Sequence, residues 1–186
     1  MDLSTIFNSA VGGAQKVGQS LSGLFGPTHI VNTATPPPAP AQYQVKNRGV
    51  QISDADLNAA RPLIYGEVSN RPPEKQALEA NVIMNTAINR MSEYAKHGQN
   101  KTLAEVLAMP NQYQAYGGNQ YKQYSNPTDA SSTAKKKQID NIVNGISDQI
   151  KKGNYADNTQ GAYYYIHNPD QSITYDNTRP LYAKPK

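Results

Sequence analysis

Residues 74–97 carry apolar side chains at Ala77, Ala80, Ile83, Met84, Ala87, Ile88, Met91 and Tyr94, at steps of three and four. That period predicts one long helix with a continuous apolar face. Pro72-Pro73 stands just before it. A stripe of this length has to be covered by other elements, so the rest of the domain is expected to be built around it.

The flanking segments supply the cover. Ser53 followed by Asp54 and Asp56 reads as a helix start, and Ala55, Leu57, Ala60, Leu63 and Ile64 form a stripe leading to Gly66-Glu67. Pro62 is expected to kink or restart that helix. Thr102-Leu103-Ala104-Glu105 is a capping box opening a short helix that stops before Pro110. Residues 111–130, rich in Tyr, Gln, Gly and Asn, read as a surface loop. Ser131 to Lys152 is a further helix with Ile139, Ile142, Val143, Ile146 and Ile150 turned inward, and Ala162–Ile166 has the composition of a strand. The sum is an α+β domain dominated by helix, with a small antiparallel sheet and no internal repeat.

Two segments precede this domain. In residues 1–26, Leu3, Ile6, Phe7, Ala10, Ala14, Val17, Leu21 and Leu24 share one helical face. Its polar face is nearly uncharged, which favours a protein partner over a membrane surface, because surface-binding helices are rich in Lys and Arg. Residues 27–50, with Pro27, Pro36, Pro37, Pro38 and Pro40, read as a semi-rigid tether. The catalytic domain is then expected over 51–186.

Composition excludes several functions. There is no cysteine, so no disulfide, thiolate nucleophile or Cys-type zinc site exists. The net charge of +4 favours an anionic polymer without specifying nucleic acid, and Lys135, Lys136, Lys137, Lys151 and Lys152 read as a solvated helix face. No run reaches the roughly 18 apolar residues of a membrane span. The first residues also lack the basic and apolar regions of a cleaved export signal. His29, His97 and His167 have no metal-ligand spacing, and no nucleophile elbow or phosphate-binding glycine loop occurs. No metal or other cofactor is expected.

Carboxylate chemistry remains, and LIYGEV (63–68) is where it concentrates. Glu67 falls near the C-terminal end of its helix, where carbonyl dipoles oppose negative charge, and Leu63, Ile64 and Val68 reduce its solvation. Both effects are expected to raise its pKa, as the general acid for a glycosidic oxygen requires. Gly66 is expected to leave room for a polymer beside it.

Residues 64–86, IYGEVSNRPPEKQALEANVIMNT, resemble the pattern I/V-Y-G/A-E-A-x-G-E-P-x-E-G-Q-V-A-V-A-A-V-I-L-N-R of the SleB-like cell wall hydrolases, with matches at Tyr65, Gly66, Glu67, Glu74, Gln76, Ala80, Val82, Ile83 and Asn85. TLAEVLAMPNQYQAY (102–116) looks like the family's T-V-x-E-V-I-x-x-P-x-Q-F, and GAYYYIHNPD (161–170) looks like its G-A-x-Y-Y-x-N-P. The resemblance implies a lysozyme-like fold and a lytic transglycosylase acting on peptidoglycan glycan strands. In it Glu67 would protonate the oxygen between muramic acid and glucosamine, then draw a proton from the C6 hydroxyl so that a 1,6-anhydro ring closes. This needs no second carboxylate, unlike ordinary glycosidases.

The match also has departures. Arg71 stands where the family has a second acid and Thr86 where it has arginine, so a contact between those positions is expected to be rebuilt or lost. An extra residue before Asn168-Pro169 predicts a bulge, Tyr175 stands for a tryptophan, and the family's closing strand is missing, which predicts a smaller sheet. The chain has thirteen tyrosines, two phenylalanines and no tryptophan. Rings bearing hydroxyls suit sugars, so Gln112, Tyr113, Tyr116, Tyr164 and Asn168 are expected to line a groove around Glu67. Asn85 is expected to be a hydrogen-bonded core residue.

A tethered wall-cutting domain without a visible export signal fits a phage particle that carries it to the host wall. Residues 1–26 would bind a virion or membrane-associated protein, and no specific nucleic acid is expected as partner. An endolysin or hydrolytic muramidase is a rival within the same chemistry. A non-catalytic wall-binding or structural virion protein is a rival outside it.

Overall fold

The computed structural model describes residues 40–110, 112–113, 115–170, 172–176 and 181. The helix expected over 1–26 and the tether as far as residue 39 lie outside them. The described part is α+β and mostly helical.

It opens with an antiparallel hairpin, β1 (Gln42–Val45) and β2 (Val50–Ser53), in register from Gln42↔Ser53 to Val45↔Val50. Asn47 and Gly49 both take positive φ, 63° and 66°, in the turn between them. Residues 42–50 were expected to end the tether, yet Val45 and Val50 are buried in the core together with Ile52. Past Pro40 the chain regains alternating β-formers and a turn bearing Asn and Gly, which is what a hairpin needs.

Helix α1 (Asp54–Val68) starts in a capping box, with Ser53 accepting from the Asp56 N–H. It runs through Pro62 without restarting. An internal proline costs about 3 kcal/mol. Leu63 and Ile64, both fully buried in the same turn, each recover about 1.5–3 kcal/mol, so burial wins.

Helix α2 (Pro73–Lys96) is the expected central element. Every residue from Val82 to Met91 is buried, on all sides of the helix and not only along the apolar stripe. A helix enclosed all round must have its polar residues bonded, and Asn85, Thr86, Asn89 and Arg90 are each partnered, as described below.

Helix α3 (Leu103–Leu107) has the capping box read from Thr102 and Glu105. Helix α4 (Asn119–Ser125) occupies part of the expected loop 111–130. Its inward side chains are tyrosines: Tyr121 and Tyr124 pack against the core, and Tyr124 meets the buried Tyr65 ring edge-on at 5.8 Å. Helix α5 (Ala130–Lys151) buries Ile139, Val143, Ile146 and Ile150. Its lysines are less free than expected, because Lys136 pairs with Asp140 at 2.8 Å and Lys151 with Asp54 at 2.7 Å.

A second antiparallel hairpin, β3 (Tyr164–His167) and β4 (Ile173–Asp176), forms its own sheet, so there are two small sheets among the described residues. Pairing is uninterrupted from Tyr164↔Asp176 to His167↔Ile173. The expected bulge is therefore absent. At the turn the Asn168 N–H donates to the Ser172 carbonyl at 2.9 Å. No helix among the described residues is long and apolar enough to cross a membrane.

Candidate active site

Glu67 sits in the last turn of α1. The adjacent Leu63, Ile64 and Val68 are fully buried, which turns the Glu67 carboxylate toward the segment that follows α3. There the Ala115 N–H donates to Glu67 Oε1 at 2.9 Å. Among the described residues the second oxygen, Oε2, has no hydrogen bond.

Gly66 has a different use from the one expected. A Cβ built there would stand 2.7 Å from Ala115 Cβ and 3.4 Å from the Tyr121 backbone nitrogen. The missing side chain admits the 115–121 segment of this same chain, not a polymer. That close approach is what brings Ala115 N–H onto the carboxylate.

Tyr113 lies two residues before Ala115 and is buried, 7% exposed. Its ring stands 5.5 Å from the Arg90 guanidinium, and Arg90 Nη1 reaches its hydroxyl at 3.5 Å. Burial pushes the Tyr113 phenol up, Arg90 and the Thr86 hydroxyl pull it back, and the Glu67 charge raises it again. Tyr113 is thus near enough to Glu67 to feel its charge, but its ring is buried and offers no open face. Gln112 is half-buried beside it, and its Oε1 is buried with no hydrogen-bond partner among the described residues.

The other expected residues divide. The Tyr164 ring lies on Arg90, 4.7 Å from the guanidinium carbon, so it belongs to the same layer. Tyr116 is 46% exposed and leans on Tyr121 with ring centres 5.2 Å apart. Asn168 is engaged elsewhere: its Nδ2 donates to Ser172 Oγ and Thr174 Oγ1, each at 2.8 Å, and so ties the β3–β4 turn. Among the described residues no contact joins it to Glu67.

Three residues not singled out as site members complete the layer. Arg90 is 2% exposed and donates from Nε to the Tyr163 carbonyl at 2.6 Å. Tyr165 is pushed far above the ordinary phenol value, first by burial, then by Tyr113 and Glu67, with Arg90 opposing and Glu79 adding. Glu79 is buried and pairs with Arg71 Nε at 3.1 Å, with His167 Nε2 at 3.9 Å. Among the described residues no contact joins positions 71 and 86. Arg71 takes Glu79, while Thr86 Oγ1 donates back to its own helix at the Val82 and Ile83 carbonyls, 2.9 and 3.1 Å away.

Arg90 was detectable in the sequence, since it falls four residues after Thr86 and four before Tyr94, inside the buried stripe. Asn85 is the core residue expected. It accepts from Arg48 Nη2 at 2.6 Å and donates to Asn158 Oδ1 at 2.7 Å.

Chemically, the site holds one half-buried carboxylate fixed through one oxygen, one buried and one half-buried phenol that stay protonated at neutral pH, and a buried guanidinium behind them. Glu79, whose charge also acts on Tyr165, is paired with Arg71. Such a site can pass one proton out and back. Among protein-family models, curated proteins and solved structures, none matches this chain.

Proposed function

We propose that this protein is a peptidoglycan lytic transglycosylase of lysozyme-like fold, with Glu67 as its single acid and base. The observation that carries the reading is the Glu67 carboxylate, anchored at 2.9 Å by a backbone N–H while its other oxygen has no hydrogen bond among the described residues. Anchoring one oxygen fixes the direction of the second, so a proton on Oε2 can be aimed at a sugar oxygen. In the first step that proton passes to the bridging oxygen as the bond from C1 of muramic acid breaks, and the glucosamine leaves as its 4-hydroxyl. In the second step the carboxylate takes the proton of the muramic C6 hydroxyl, whose oxygen closes on C1. The acid is regenerated and no water is consumed.

The commitment of Glu79 to Arg71 and His167 supports this over hydrolysis, because a hydrolase needs a second carboxylate free to activate water. Tyr116 supplies an exposed ring for a sugar face. The amphipathic pattern of residues 1–26 and the proline-rich stretch after it fit attachment to a larger assembly, and a phage particle acting on the host wall is the setting proposed.

The test uses the full chain on purified peptidoglycan. Glu67→Gln is expected to lower the rate of turbidity loss by about 10²–10⁴-fold, the usual worth of a positioned proton donor. Mass spectrometry is expected to find anhydromuramyl ends. Reducing ends would replace transglycosylation by hydrolysis. Equal release by both proteins, or none by either with retained binding, would overturn the catalytic reading in favour of a wall-binding protein.

A further inference from the structure

A second feature lies away from Glu67. Between the β1–β2 turn and the loop after α5 there is a cavity of about 470 Å³, lined by Lys46, Asn47 and Arg48 on one side and by Asn154, Tyr155 and Asp157 on the other. This volume is within the range of small-ligand sites, about 300–1,000 Å³.

The hydrogen bonding of its charged residues is unequal. Asp157 is the only carboxylate in the lining, and its capacity is used. Its Oδ1 accepts from the Thr159 N–H and hydroxyl at 2.8 and 2.7 Å, and its Oδ2 from the Gly161 N–H at 2.9 Å and Asn89 Nδ2 at 3.2 Å. Arg48 is the reverse. Its side chain is 8% exposed, and Nη2 is bonded to Asn85 and forms a long ion pair with Asp157 at 3.9 Å, but Nη1 is buried with no hydrogen-bond partner among the described residues. Burial lowers the basicity of this guanidinium, and Asp157 and Tyr155 restore only part of it. A buried cationic donor without an acceptor is costly, so native proteins seldom keep one without a use. Lys46, exposed on the same turn, adds a second positive charge at the rim.

We propose that this cavity binds an oxyanion group, a carboxylate or a phosphoryl, held by Arg48 with Lys46 at the rim and the Asn154 amide beside it. A guanidinium fork matches both groups, because each presents two or more oxygens in one plane or face. The proposal does not depend on the reaction assigned to Glu67. A peptide C-terminus and a phosphate ester share this chemistry, and the probes separate them.

The experiment is a nuclear magnetic resonance titration of the full chain at constant ionic strength, with inorganic phosphate in one arm, N-acetylalanine in the other and chloride as control. Saturable shifts are expected at the amides of Lys46, Asn154 and Tyr155. Arg48→Lys is expected to weaken binding roughly tenfold, since it loses the fork, and Lys46→Ala roughly threefold, as suits a rim charge. Response to one probe only identifies the source. If Arg48→Lys does not fold, Lys46→Ala still decides, because its side chain is exposed. No saturable shift with either probe, shifts reproduced by chloride, or binding unchanged in Lys46→Ala would overturn the proposal.

Discussion

Gly66→Ala tests whether the Glu67 geometry rests on the close approach of two chain segments. The new methyl would stand 2.7 Å from Ala115 Cβ. Carbon atoms rest about 3.5–4.0 Å apart, so Ala115 must retreat by about 1 Å. Its N–H now lies 2.9 Å from Glu67 Oε1, and a retreat of that size takes it past the ~3.2 Å limit of a good bond. A hydrogen bond to a charged group is worth about 1.5–3 kcal/mol, which corresponds to a rate loss of about 10- to 150-fold if the bond positions the acid. Stability should change much less. Ala gains about 1 kcal/mol over Gly within a helix, against about 1–3 kcal/mol for overpacking, and a net loss of about 0–2 kcal/mol lowers Tm by no more than about 8 °C. The assay pairs peptidoglycan turbidity with thermal unfolding for Gly66→Ala and for Gly66→Ala with Ala115→Gly. Removing the opposing methyl should restore most of the rate. Full activity in the single variant, or a loss that persists in the double one, would refute the argument.

Arg90→Lys keeps the charge but cannot reproduce the 2.6 Å bond to the Tyr163 carbonyl together with contact to two rings; it should cost about 2–3 kcal/mol in denaturant unfolding. A cost under about 0.5 kcal/mol, the level of an ordinary surface change, would show that the guanidinium is not a keystone. Alkaline stability follows from Tyr163, whose phenol is pushed up to about 12 by burial and by the Glu93 carboxylate it donates to, and from Tyr155, pushed up chiefly by burial. Unfolded tyrosine ionises near pH 10, at about its model value. Between there and about pH 12 the folded state keeps protons that the unfolded state has lost, so stability present below pH 10 falls as pH rises through that window. Urea midpoints at pH 8 and 11 should show the fall, and Tyr163→Phe should flatten it; equal slopes for both proteins would refute the assignment.

What the sequence revealed depended on whether a side chain or the backbone carried the structure. The period of α2 and the capping residues of α1 and α3 are side-chain signals, and all three elements were legible. Helix α4 was not, because its N-cap is Gly118, with no side-chain bond, and its inward face is built from Tyr121 and Tyr124 in place of aliphatic residues. Hairpin β1–β2 was masked by the prolines just before it. At the site, the place of Glu67 could be read, but its partner is the N–H of an alanine, and no residue type announces a backbone donor. The Arg71–Glu79 pair was hidden for a related reason. Arg71 lies in the connection between α1 and α2 and Glu79 in the second turn of α2, with Pro72-Pro73 between them.

The buried polar residues of α2 explain how irregular segments become rigid enough to hold a site. Their own backbone groups belong to the helix, so their side chains are free to bond other parts of the chain. Asn85 and Asn89, four residues apart, bond Arg48 and Asn158 and then Asp157, Thr159 and the Ala162 carbonyl. Thr86 and Arg90, the adjacent stripe about 100° round the helix, face Tyr113 and the Tyr163 carbonyl. Each stripe pins a segment with little regular structure: one is the loop beside the Arg48 cavity, the other the stretch leading to Ala115. Burying Asn or Arg is unfavourable unless every donor finds an acceptor, so these positions cannot be explained by core packing alone. They are accounted for if the central helix serves as a shared frame, holding the acid at Glu67 along one stripe and the cationic cavity along the next.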